Sequence, residues 1–258
     1  MSRVRLRSYL LTCGDRVVVE ELLDDHSARV VKHLTRVRGS PIGRYASLKG
    51  GVSEERFINT LLVAGALHDV GKAFYQSSFS TSGGCQHLTF LGHEWISAYF
   101  ILELMRRVPN PDVDLDVAFY ATLLHHHAMD AIARGRGAAS KLTPPPAEEV
   151  VEGLAGLAGL IPSDVVRDAY LTSLEEVVGS VIKHAGEGLA DIIEPVRREY
   201  LETLKGPAAG RGRRVLYLLS VACLVTADYL AAGEVRGPSA SRFWGVVEEF
   251  SRTYFGGG

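Results

Sequence analysis

Leu67-His68-Asp69-Val70-Gly71-Lys72 is the stretch whose reading decides the fold. It closes an apolar run, Phe57 to Leu67, of helical character. Ser53, followed by Glu54-Glu55-Arg56, fits an N-cap with acids in the first turn. The pattern therefore predicts a helix that runs to the His–Asp pair and stops near Gly71. An imidazole and a carboxylate at the end of a buried helix cost desolvation unless something satisfies them. A divalent metal ion would do so. The remaining sequence reads as a helical frame that brings more ligands to this pair.

Working outward, Glu21 to Val37 has helical spacing and contains His26 and His33. Arg38 to Gly51 is rich in Gly, Ser and Pro and predicts a loop. Phe74 to Gly92 is polar and glycine-bearing and predicts another. His93 to Arg107 is helical, ended by Pro109 and Pro111. Asp114 to Met129 predicts a helix ending in His125-His126-His127, and Ala131 to Pro146 a long loop. Helices are expected over Glu148–Leu160, Ser163–Val178 and Ser180–Leu204, the last broken around Glu194-Pro195. Lys205 to Arg214 reads as a basic, glycine-rich loop. A strong apolar helix, Val215 to Ala232, and a short amphipathic one, Phe243 to Tyr254, complete the chain. Arg3 to Glu20 alternates loosely, with Val17-Val18-Val19 the best strand. No repeat or domain boundary is visible. The expectation is a single all-α, mainly helical domain over 1–258 with a short N-terminal hairpin.

Composition narrows the function classes. Apolar residues make up 47% and charged residues 22%, with net charge −2. The surface as a whole is no polyanion magnet, so nucleic-acid binding must come from local patches or partners. Cys13, Cys85 and Cys223 form no CxxC and are expected to be reduced, mostly buried thiols of a cytoplasmic protein. No signal peptide is visible. Val215–Ala232 contains Ser220, Thr226, Asp228 and Tyr229, so it reads as a core helix and no membrane is expected. Four amides in all (Asn59, Asn110, Gln76, Gln86) suit a thermophile, although a GC-rich genome would produce the same bias. No GxxxxGK[ST] phosphate loop occurs, so the chain has no motor of its own.

His26, His68, Asp69, His93, His125, His126 and Asp228 are the candidate ligands. A lone histidine on an apolar helix is more often a satisfied core or surface residue. Asp228 weighs more: a carboxylate inside an apolar helix needs a metal, an arginine or a helix N-terminus. Adjacent helical residues point about 100° apart, so neighbouring ligands can face two ions, and a carboxylate can bridge them. Metal pairs roughly 3.5–4 Å apart are a standard device for phosphodiester hydrolysis. Such imidazole-rich sites suit Mn, Fe, Co, Ni or Zn better than Mg. His33, His87 and His184 read as ordinary residues.

The order Asp25-His26-Ser27, His68-Asp69-Val70-Gly71-Lys72, Gly92-His93-Glu94, Leu124-His125-His126-His127 and a late Asp228 resembles the HD-domain metal-dependent phosphohydrolase superfamily. Within it, the likeness is to the CRISPR-associated HD nuclease, the stand-alone nuclease half of the type I helicase–nuclease effector. The resemblance implies one metal ion on His26, His68, Asp69 and Asp228. Asp69 would bridge to a second on His93, His125 and His126, with His127 able to replace one of that pair. Lys72 would meet the scissile phosphate, or else act as a helix-terminal cation. The implied activity is hydrolysis of single-stranded DNA, or RNA, in type I CRISPR interference. Mn is the favoured ion and Mg a weaker one. A separate helicase subunit and a guide-RNA targeting complex are the implied partners. Arg134, Arg136 and Lys141, and Arg211, Arg213 and Arg214, could track a phosphate backbone or be solvated loop charges. Two alternatives stay open. One is an HD phosphohydrolase acting on small nucleotides; its HD-GYP type is disfavoured by Ala128-Met129-Asp130 where Gly-Tyr-Pro would stand. The other is a non-enzymatic helical adaptor with a structural metal.

Overall fold

The computed structural model describes residues 5–109, 111–126, 142–185, 187–205, 210–237 and 243–255. Two strands come first, β1 (Arg7–Cys13) and β2 (Arg16–Leu22), and lead into α1 (Leu23–Thr35) and α2 (Pro41–Gly50). Then come α3 (Glu54–Leu67), a 3-10 turn (Val70–Tyr75), β3 (Phe79–Ser82), β4 (Cys85–Leu88), α4 (His93–Arg107) and α5 (Leu115–Leu124). The C-terminal half holds α6 (Ala147–Ala155), a second 3-10 turn (Gly156–Leu160), α7 (Asp164–Ala185), α8 (Ala190–Lys205), α9 (Arg211–Arg236) and α10 (Trp244–Tyr254). The mainly helical expectation is met.

Helices α3, α4 and α5 form the centre. From Phe57 onward every residue of α3 is buried except Asn59, and α5 is nearly as dry. A helix apolar all round has to be covered on all sides. α1 covers α3 with a stripe at helical spacing, Leu23, His26, Ser27, Val30 and Leu34. α9 lies against α1, α2, α3 and α5. By length and composition α9 could cross a membrane, but half of its apolar stretch is buried in the fold. The Ser53 cap is present: its hydroxyl accepts the Arg56 N–H at 3.1 Å.

Several expectations are corrected. Arg38–Gly51 is not all loop: Ser40 caps α2, its hydroxyl accepting the Gly43 N–H, and Pro41 sits in the first turn. The presumed Phe74–Gly92 loop holds a hairpin that completes a four-stranded antiparallel sheet, order β2-β1-β4-β3. That pairing sets Cys13 opposite Cys85, and the two form a disulfide; Cys223 alone is a free, buried thiol. The expectation of three reduced thiols missed this because strand partners far apart in sequence leave no local signal. The cytoplasmic expectation loses that support. Pro195 lies inside α8 and breaks nothing; the chain turns earlier, at Gly188 and Leu189, both at positive φ. α9 begins at Arg211, so Arg211, Arg213 and Arg214 are helical and not in a loop.

Candidate metal centre

Five element ends converge on one point. His68 is the C-cap of α3, and Asp69 opens the 3-10 turn with φ −111° and ψ 5°, near the sparsely populated bridge region. His93 is the first residue of α4, after Gly92 in the left-handed conformation. His125 is the C-cap of α5. His26 comes from the first turns of α1, and Asp228 from the second half of α9. The turn and α4 approach closely at Gly71, where a Cβ would lie 2.1 Å from the His93 carbonyl oxygen. Glycine is required there by space.

The ligand atoms fall into two groups, each with all atoms within 4.8 Å of one another. One is His26, His68, Asp69 and Asp228; the other is His93, His125 and His126. Asp69 faces both. Its Oδ2 lies 3.2 Å from His68 Nε2 and 3.4 Å from His26 Nε2. Its Oδ1 lies 2.8 Å from His93 Nε2 and 3.8 Å from His125 Nε2. Asp228 Oδ1 closes the first group, 3.0 Å from His26 Nε2 and 3.8 Å from His68 Nε2. The His126 ring lies 4.1 Å from that of His125.

The far nitrogens explain this orientation. His68, His93 and His125 each present Nδ1 to the carbonyl three residues back: Gly65 at 2.9 Å, Phe90 at 2.6 Å and Thr122 at 2.6 Å. A carbonyl can only accept, so Nδ1 carries a proton and Nε2 is the nitrogen left facing the centre, where it can give its lone pair to a metal ion. His26 is held between two carboxylates: Glu21 Oε1 accepts from Nδ1 at 2.8 Å and Asp228 Oδ1 from Nε2 at 3.0 Å, so a metal ion at Nε2 would replace that second proton. Glu21 is buried and held by Arg29 and Arg236 at 2.7 Å each. Sequence reasoning passed over Glu21, and nothing local marks it: its arginine partner on α9 is 215 residues away.

This donor set fits a cation. His68 Nε2, His93 Nε2, His125 Nε2 and both Asp69 oxygens are buried without an aligned hydrogen bond. Carboxylate oxygens and imidazole nitrogens held this close need positive charge among them, from protons or from a metal ion. Electrostatics of the ion-free cluster agree. Burial pulls the His68 pKa down, yet Asp69 and Asp228 outweigh it and raise it to about 10. Burial pushes Asp69 up, but His68 and Lys72 hold it well below the carboxylate range. His125 goes the other way, to about 4, through burial and the neighbouring His68 and His93. The cluster draws in positive charge while keeping one imidazole neutral, as metal ligation requires.

Lys72 Nζ lies 2.6 Å from Asp69 Oδ2, an ion pair outside hydrogen-bond alignment, and 5.3 Å from the centre of the Phe90 ring. It is mostly buried. The basic residues are placed differently. Arg213 is spent on Asp114 and Asp116, which corrects its reading as a backbone-tracking charge. Arg211 and Arg214 are exposed on the first turn of α9. Arg134, Arg136, Lys141 and His127 lie outside the described residues. His33 pairs with Glu234 and His87 sits on β4 opposite Leu11, neither of them in the two groups. His184 joins Glu187 and Asp191 in an exposed surface group on α7 and the start of α8.

A search of curated proteins and one of solved structures give no match. A family model described as HD domain matches residues 23–232, which takes in every ligand candidate above. The chain belongs to the HD domain family, whose members are typically metal-dependent hydrolases.

Proposed function

We propose that the protein is a two-metal phosphodiesterase that cuts single-stranded nucleic acid, DNA foremost, in type I CRISPR interference. The observation that carries this reading is Asp69, a buried carboxylate with one oxygen toward each donor group. His26, His68, Asp69 and Asp228 would hold one ion, and Asp69 with His93, His125 and His126 the other. Divalent ions held by these residues would supply a water of lowered pKa as the nucleophile and would neutralise charge on the phosphoryl oxygens. The chain's own groups prepare that chemistry. Glu21 and the three backbone carbonyls engage Nδ1 of His26, His68, His93 and His125 and so aim each Nε2 at the centre. Lys72 offsets the Asp69 charge and would meet the scissile phosphate from there. The ligand types favour Mn, Fe, Co or Ni over Mg. The motif order supports the CRISPR placement, and a separate helicase subunit and guide-RNA complex would deliver the strand.

The test is direct. Purified protein with Mn is given a labelled single strand, the same strand as duplex, and free nucleotides. The single strand is expected to be cut first, with chelator abolishing the cut. A second reading, hydrolysis of small nucleotides, is favoured by a cavity of about 450 Å³ beside the cluster. Turnover of free nucleotides with strands ignored would establish it in place of the first.

A further inference from the structure

That cavity lies between α5, α9 and α10 and is lined in part by His125 and His126. It therefore begins where the metal cluster ends. Its size falls within the roughly 300–1,000 Å³ of small-molecule sites. Its character is unlike the cluster's. Tyr120, Tyr229, Phe243 and Phe250 contribute rings, and Ala222 and Val225 of α9 form an aliphatic floor. Among the described lining residues there is no Lys, Arg, Asp or Glu. Apart from His125 and His126, no described lining residue could neutralise a second phosphate. A flat, largely apolar group attached to a phosphate at the cluster is what it suits. The mouth is open: Phe243 is 53% exposed.

We propose that this cavity receives one unpaired nucleobase of the phosphoester whose phosphate lies at the cluster. The inference rests on the phosphoester reading above and names its recognition element. Every base has a π-face, so stacking holds it without reading sequence, at about 1–3 kcal/mol per base. A base inside a duplex cannot enter without leaving its stack. The cavity thereby gives a physical reason for a single-strand preference.

The test measures binding on Mn-loaded protein by calorimetry. The ligands are deoxyadenosine monophosphate, deoxyribose 5-phosphate, which lacks the base, and hexyl phosphate, which replaces the nucleoside by an alkyl chain. Deoxyadenosine monophosphate is expected to bind about 10-fold or more tightly than either. Val225→Trp, at a partly exposed position, fills the cavity and should reduce its affinity to that of deoxyribose 5-phosphate, whose own binding stays unchanged. Ala222→Phe is the second variant, should the first fold poorly. Equal affinity with and without the base overturns the proposal, as does hexyl phosphate binding as well as the nucleotide. So does nucleotide affinity unmoved in both variants. An intact preference for the base in a protein that leaves strands uncut would support the cavity assignment and remove the nuclease reading alone.

Discussion

Two clusters of opposite charge share α9, and they are finished differently. Near the helix start, Arg213 donates to Asp116 and Asp114. Arg56 donates to both oxygens of Asp114, at 3.0 and 3.1 Å, and the Tyr217 hydroxyl donates to Asp116 at 2.8 Å. Donors and acceptors there match. Toward the other end, Asp228 accepts from His26 Nε2 at 3.0 Å, but it joins a cluster in which the Nε2 atoms of His68, His93 and His125 and both Asp69 oxygens are buried without an aligned hydrogen bond. Both clusters tie distant segments together. A polar group whose valences are met inside the chain is structural, whereas buried lone pairs left facing one point require something from outside.

The largest effect that would sharpen this contrast is expected from Asp69→Ala. It removes the one carboxylate that turns an oxygen to each group, so metal content and cleavage should both fall to background in a folded helical protein. Elemental analysis with a strand-cleavage assay checks this. A variant that keeps both ions would break the bridging assignment. Next is Arg213→Met at the other cluster. It leaves Asp114 and Asp116 short of a partner and should lower unfolding free energy by about 1–3 kcal/mol. Metal content should not change, as denaturant melts and metal analysis would show. A loss of metal would mean that the two clusters are coupled through α9.

The effect that depends on pH concerns Glu21. Burial pushes its carboxyl up, but His26, Arg236 and Arg29 outweigh this and lower it from 4.5 to about 2. A depressed carboxylate stabilises the fold above its unfolded pKa, and that stability is lost as pH falls through the folded value. Glu21→Gln should thus cost up to about 3 kcal/mol at neutral pH, shrinking between pH 4.5 and 2. Melts of the metal-free protein across that range test it. A deficit independent of pH would show that packing, not charge, is what Glu21 contributes.

Much of the frame was readable before any coordinates. The span of α4, His93–Arg107, and the Ser53 cap follow from local pattern alone. So does the suspicion attached to a carboxylate at position 228, because its neighbours on the helix are apolar. The misses share one cause. Cys13 and Cys85 are 72 residues apart, and β4 carries too little alternation to suggest a partner. Arg213 looked like a free basic charge because Asp116 lies 97 residues away. α2 was a different kind of miss: Ser40-Pro41 is a legible start signal outweighed by the surrounding glycines.

What the amino-acid order determined by itself is the kind of chemistry: imidazoles and carboxylates set at the ends of apolar helices, where local periodicity and desolvation act within a few residues. Only the tertiary structure decided which of them meet. His26 reaches Asp228 across 202 residues, Asp69 turns one oxygen to each donor group, Glu21 orients the His26 ring, and an apolar cavity adjoins His125 and His126. Those contacts depend on how whole helices pack, and a helix ending at His68 is the same local object whether or not another brings Asp228 to it.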